Sequence, residues 1–251
     1  MKLALRNVPR TWLIKGSEWL RPLLLLWYRG NNFQDPIDGS NFSKMLPYGY
    51  EKSRANALSP STLSLERHRL LWLYLQNETN FFTDSLSVLH IAPEQCFVHR
   101  FKKLKHHNYV TADIESPLAD VKADITNLPF DNQTFDVVLC NHVLEHVVED
   151  SKAMEEIYRV MKNGAWAVLQ IPLYANQAET YEDFSITDPE ERRKHFGQYD
   201  HVRKYGMDYF RRLQEAGFRV EKVQYAQSLS EDEIRKYSVV ADEIIPVVFK
   251  D

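Results

Sequence analysis

The stretch Ser87-Val88-Leu89-His90-Ile91-Ala92-Pro93-Glu94-Gln95 decides the fold. A short apolar run breaks at a proline and passes into an acid and a polar residue. That is the form of a buried strand ending in a tight turn. The runs Ser87–Ala92, Tyr109–Ile114, Phe135–Cys140 and Trp166–Ile171 repeat this pattern, with helical stretches between them. The clearest helix is Lys152–Met161, with Asn163-Gly164 expected to stop it. Alternation of this kind predicts an α/β fold with a doubly wound, mostly parallel sheet. A further helix reads from Met207 to Ala216 and stops at Gly217. The runs Phe218–Tyr225 and Glu243–Phe249 then predict an antiparallel edge pair. Ser230-Glu231-Asp232-Glu233 between them has the form of a capping box.

The 251 residues suffice for one substantial core and a small appendage, and a net charge of −4 gives no global argument for a nucleic-acid partner. Cys96 and Cys140 form no pattern and read as reduced, buried thiols in a cytoplasmic protein. Residues 1–80 are expected to form a helical N-terminal region and 81–251 the sheet domain. The N-terminal region ends in an amphipathic helix over Leu63–Leu75. Residues 1–30 mix Lys2, Arg6, Arg10, Lys15, Arg21 and Arg29 with tryptophans and the run Leu23–Leu26. The apolar part is too short to span a bilayer, and no small-residue cleavage site follows it. Two readings stand: a segment lying peripherally on the inner membrane face, or a helix packed on the domain or a partner.

Open α/β sheets bind ligands beyond the carboxyl ends of their strands, near the switch in strand order. Here those ends carry His90–Gln95, then Asp113 and Glu115, then Asn141 and His142, with Asp124 and Ile125 on the intervening loop. An acid about 20 residues past the first turn suits a ribose diol; Asp113 fits best, with Glu115 nearby. A nicotinamide dinucleotide fold shares that acid but expects glycines in the first turn to admit a pyrophosphate. None is present, which disfavours an NAD-dependent oxidoreductase.

The block "DITNLPFDNQTFDVVLCNHVLEH" from Asp124, followed by "AMEEIYRVMKNGAWAVLQIP", resembles a class I S-adenosylmethionine-dependent methyltransferase, over about residues 87–250. The resemblance implies a Rossmann-like sheet with an antiparallel C-terminal edge, methyl transfer as the activity and S-adenosyl-L-methionine as cofactor. Carried over by position, His90, Ala92, Pro93 and Glu94 form the first motif, with Glu94 facing the methionine end. Asp113 holds the ribose, Asp124 and Ile125 the adenine, and Asn141 and His142 line the cofactor near its sulfonium. The departure is the missing glycine. "HIAPE", "HFGQYDHVRKYG" and "SLERHR" together resemble a bacterial subgroup with an alanine-proline-glutamate turn.

That subgroup carries a cysteine knuckle before its "SLERHR" helix. Here Asp35, Asp38, Ser59 and Thr62 stand at the cysteine spacing. Ser and Thr are poor zinc ligands, so a degenerate, zinc-free ribbon is expected, a hard-cation site on Asp35 and Asp38 being the alternative. Residues 174–205 form a polar stretch too long for a connection and read as a lid or substrate loop. In it, His195 or His201 can act as base, with Asp200 orienting or sharing the task. His142 and His146 are spaced i, i+4, half a metal site with no third ligand evident, so no metal is expected. The leading expectation is methyl transfer to an oxygen of a small polar metabolite or saccharide. The alternative is a catalytically silent scaffold.

Overall fold

The computed structural model describes residues 23–49 and 53–251. The membrane-surface reading of residues 1–30 therefore rests mostly on residues outside the described ones. The described part leaves Leu26 and Trp27 exposed. No helix among the described residues is long and apolar enough to cross a membrane.

The chain divides into two compact units. The first holds the residues up to Phe82 together with Gln224–Glu243. Strand β1 (Arg29–Gln34) pairs with β2 (Asn41–Phe42), and β3 (Leu46–Tyr48) with β4 (Arg54–Leu58), before helix α1 (Glu66–Glu78). Two turns of this unit are built alike. Asp35 N–H donates to Ser40 and Gly39 N–H back to Asp35; Ser59 N–H donates to Ser64 and Leu63 N–H back to Ser59. Both need a left-handed residue at the same place, and Gly39 (φ +75°) and Leu63 (φ +60°) supply it. The turns bury Asp35 completely. Its Oδ2 accepts from Thr62 Oγ1 (2.5 Å) and Ser64 Oγ (3.1 Å), its Oδ1 from Ile37 N–H (2.9 Å). The exposed Asp38 instead caps its own turn through Ser40 N–H (3.0 Å). A buried carboxylate must be saturated by donors, and here the donors are hydroxyls and an amide.

The sequence division at residue 80 assigned 224–243 to the sheet domain, whereas this segment packs with the first unit. The cause is Arg69 on α1, fully buried, whose guanidinium donates to Tyr237 O, Ser238 O, Ala57 O and Ser64 O. A buried guanidinium needs several carbonyls, and two of them lie beyond the capping-box helix Glu231–Tyr237.

The second unit is the sheet. Its strands are β5 (Ser87–Ile91), β6 (Asn108–Asp113), β7 (Val121–Lys122), β8 (Phe135–Asn141), β9 (Met161–Gln170), β12 (Arg219–Val223) and β13 (Ile245–Phe249), in the order β12-β13-β9-β8-β5-β6-β7. Neighbours from β9 to β7 are parallel, while β13 runs antiparallel between β12 and β9. Val88, Leu89, Val137, Val138, Leu139, Ala167 and Val168 are solvent-free, so the central strands are covered on both faces, which is why they read as unbroken apolar runs. Helix α2 (Gln95–Phe101) follows β5, and α3 (Asp150–Val160) buries Ala153, Met154, Ile157 and Val160 at helical spacing.

Asn163-Gly164 does not stop α3. The helix passes straight into β9 at the fully buried Met161, and Gly164 (φ +79°) lies within that strand, donating to Lys250 O at 2.7 Å. The pull of Val160 and Met161 into the core moves the boundary ahead of the glycine. The 174–205 stretch also has structure of its own. It contains β10 (Tyr181–Glu182), α4 (Pro189–Phe196) and β11 (Arg203–Lys204). Helix α4 is fully signposted: Asp188 caps its start, proline takes its first position and Gly197 (φ +88°) ends it. Helix α5 (Tyr209–Glu215) precedes Gly217, which takes φ +101°.

Candidate active site

The sheet order places the switch between β5 and β8, where the chain leaves β5 toward β6 on one side and returns on the other. The first turn lies there. Ala92 adopts φ +49° and donates its N–H to Ala112 O at 2.8 Å. Alanine thus takes the left-handed conformation a glycine would supply, and Pro93 fixes the next φ. The turn keeps its backbone course without a glycine.

Beyond β5 and β6 opens a cavity of about 380 Å³, within the range of small-ligand sites. Its lining includes Ala92, Asp113, Asp124, Ile125, Val143 and His146. Asp113 Oδ1 accepts from Glu115 N–H (2.7 Å) and Ser116 N–H (2.6 Å), which shapes the loop and leaves Oδ2 for a ligand. Glu115, the alternative acid, does not line the cavity. Asp124 Oδ1 accepts from Thr126 N–H and Oγ1, each at 2.8 Å, and these bonds hold its carboxyl below the usual range. Both aspartates are therefore turn formers as well as lining groups. The apolar wall from Ile91, Ile125 and Leu128 suits a flat base.

Glu94 stands at the switch itself. Its Oε2 pairs with His90 Nε2 (2.5 Å), and its Oε1 accepts from Asn141 Nδ2 (3.0 Å). His90 is solvent-free, and its other nitrogen meets Tyr109 OH at 2.7 Å. It bonds Glu94 and Tyr109 and does not line the cavity. Asn141 Oδ1 and both amide atoms of Gln170 are buried without a hydrogen-bond partner, on residues paired across β8 and β9. Two neighbouring buried amides with unmet bonds mark a place for a polar ligand. Gln170 ends the fourth strand run of the sequence, a position that by itself assigns it no ligand role.

The remaining polar residues gather beyond β8. His142 has φ +55°, and the segment Leu144–His146 is a 3-10 turn, so His142 and His146 do not share a helix face. His142 Nδ1 donates instead to Glu145 Oε1 at 3.2 Å. Burial pushes the Glu145 carboxyl up, but the His142 bond and the nearby His146 pull it below the usual range. His146 Nδ1 lies 3.3 Å from Asp200 O, and its ring is 4.7 Å from that of His201. Glu145, His146 and His201 thus bring donor atoms within 4.8 Å of one another, a group that does not include His142. Burial pushes His201 below the usual histidine value, against a smaller upward pull from Glu145. His195 sits apart on α4, bonded to Tyr181 OH at 2.7 Å.

Arg203 fixes this arrangement. It is 1% exposed and donates to Leu144 O, Val147 O and Val148 O, while its Nε meets Glu182 Oε2 at 2.8 Å. Val202 N–H donates to Glu145 O at 2.9 Å. The 174–205 stretch is thus sewn to the loop after β8 rather than draped over it.

Residues 79–169 match the family model described as methyltransferase domain. The match bears out, for that block, the methyltransferase-type domain that the resemblance implied. Among curated proteins, the chain is 41% identical over 66 residues to an uncharacterized protein of Methanocaldococcus jannaschii, covering 26% of this chain and 29% of that one. It is 45% identical over 49 residues to demethylmenaquinone methyltransferase of Clavibacter sepedonicus, 20% of each chain. The chain thus matches well under two thirds of these relatives' length. A solved S-adenosylmethionine-dependent methyltransferase of Mesorhizobium loti aligns at 14% identity and a TM-score of 0.48, covering 71% of this chain and 95% of that one.

Proposed function

We propose that the protein binds S-adenosylmethionine at the switch of its sheet and transfers the methyl group to an oxygen of a small polar acceptor. The observation that carries this is the cavity lined by Ala92, Asp113, Asp124 and Ile125. In this reading Glu94 and Asn141, bonded to each other at the carboxyl ends of the neighbouring strands β5 and β8, take the methionine end. The residues fit the cofactor: a free carboxylate oxygen for the diol, an apolar slot for the base, and an anionic Glu94 for the ammonium of the methionine end. The cofactor supplies an electrophilic methyl carbon.

The chain's own groups align the acceptor and take its proton. Those groups are Asp200 and His201, beside His146. His195 is bonded to Tyr181 and has no part in this reading. A saccharide acceptor suits the exposed Tyr181 and Tyr199 of the 174–205 stretch. We further infer the alanine-proline-glutamate subgroup and a knuckle in which Asp35 and its hydroxyl donors replace a metal. The exposed Leu26 and Trp27 support peripheral membrane contact through residues 1–30, and co-sedimentation with anionic vesicles tests it.

Calorimetry with S-adenosylhomocysteine and NAD in parallel tests the function. Binding of the first alone, weakened at least tenfold by Asp113→Ala, is the expected result. Binding of neither favours a silent scaffold, and binding of NAD an oxidoreductase.

A further inference from the structure

We infer that Glu145, His146 and His201 form a binding site for a divalent transition-metal ion, zinc by the chemistry of its donors. The inference goes beyond methyl transfer and stands without it. One donor atom from each residue lies within 4.8 Å of the others. Two imidazoles and one carboxylate are a set that zinc accepts, and three protein ligands leave a position for water or a substrate oxygen.

A second observation points to a ligand. Glu145 is 1% exposed, and its Oε2 has no hydrogen-bond partner. A buried carboxylate oxygen with nothing to accept is costly unless a cation or donor meets it. Two of the donor residues, Glu145 and His146, are also oriented by an outer bond. His142 Nδ1 donates to Glu145 Oε1 (3.2 Å) and leaves Oε2. His146 Nδ1 faces Asp200 O (3.3 Å) and leaves Nε2. The His201 ring packs edge-on against the His146 ring, with 4.7 Å between their centroids. Outer partners of this kind fix ring orientation and tautomer at metal sites.

The frame is rigid. Glu145 and His146 lie on the 3-10 turn after β8, and His201 comes from the 174–205 stretch, which Val202 N–H ties to Glu145 O at 2.9 Å. Arg203, buried beside them, holds the carbonyls of Leu144, Val147 and Val148. Donors about 2.1 Å from one ion at tetrahedral angles lie about 3.4 Å apart, so from a spread of up to 4.8 Å loading closes the group by up to about 1.4 Å. Side-chain rotation supplies that. A His201 that holds a metal is not free to act as base, so the two roles of this residue separate experimentally.

The test uses the full chain, tag-free and stripped with a chelator. Zn²⁺ is titrated by calorimetry and Co²⁺ by its visible absorption, with S-adenosylhomocysteine binding measured on the same samples. One equivalent is expected, with a tetrahedral or five-coordinate cobalt spectrum. Glu145→Gln, His146→Ala and His201→Ala are each expected to weaken it at least tenfold, while the exposed His106→Ala leaves it unchanged. Absence of stoichiometric binding below 1 mM overturns the inference. So does binding that survives all three substitutions, or that is lost only in Asp35→Ala, which puts the ion in the first unit. Metal binding without S-adenosylhomocysteine binding fails the proposed function alone, and the reverse fails the metal site alone.

Discussion

Replacing Ala92 by glycine should stabilise the sheet unit, although it removes a side chain from a folded protein. Ala92 holds φ +49°, where the β-carbon crowds its own carbonyl at a cost of about 1–2 kcal/mol. Glycine escapes that cost but gives the unfolded chain more freedom, which takes back about 0.4–1 kcal/mol. The difference favours Ala92→Gly by about 0.8 kcal/mol, or about 2–3 °C in Tm for a chain of this size. The reciprocal substitution calibrates the estimate. Gly164 has φ +79°, and a β-carbon there meets nothing within 4 Å, so Gly164→Ala isolates the backbone term. It should cost about 1 kcal/mol. Urea unfolding followed by far-ultraviolet circular dichroism measures both, with an unchanged slope showing that only stability moved. Because the turn keeps its backbone amides, affinity for S-adenosylhomocysteine should stay within threefold. If Ala92→Gly lost stability while Gly164→Ala behaved as stated, the methyl of Ala92 would be packing rather than tolerated. The account of the glycine-free turn would then be wrong.

Glu94→Gln removes the charge between His90 and Asn141 while keeping the shape. The loss of a charged hydrogen bond of about 1.5–3 kcal/mol should raise the dissociation constant for S-adenosylhomocysteine at least tenfold, and unchanged affinity would strike Glu94 from the site. If His201 takes the acceptor's proton, its neutral form is the active one. Burial depresses its pKa, so activity present at neutral pH is lost only as the pH falls through a value below 6.5. An acid limb of kcat/KM centred above pH 7 would contradict that assignment. Asp35→Ala leaves Thr62, Ser64 and the Ile37 amide without their acceptor in a solvent-free site. A destabilisation of about 3 kcal/mol or more follows from the buried orphans, read by the Trp72 fluorescence of that unit, and a loss below 1 kcal/mol would show the carboxylate to be dispensable.

The sheet was legible because burial on both faces writes itself into sequence as apolar runs. β5, β6, β8 and β9 all fall on the runs read from composition, and β13 on the antiparallel edge. Boundaries governed by tertiary pull were not legible: β9 begins at Met161 because the core takes that side chain, not because a glycine follows it. Contacts distant in sequence were equally silent. No local pattern joins Arg69 to Tyr237 or Arg203 to the carbonyls after β8, and those two guanidinium groups decide which segments pack together. The site divides along the same line. Asp113 and Asp124 announce themselves because each must form its own turn before it can hold anything, so their short-range spacing carries the information. His201 and Glu145 lie 56 positions apart and meet only because Arg203 and Val202 fold the polar stretch onto the turn after β8. Spacing of i, i+4 between His142 and His146 pointed to a helix face, but Leu144–His146 is a 3-10 turn and His142 sits left-handed ahead of it. The pairing that spacing suggested is replaced by one that only the fold can make. The proposed cofactor end is therefore encoded locally, and the proposed acceptor end depends on a buried arginine.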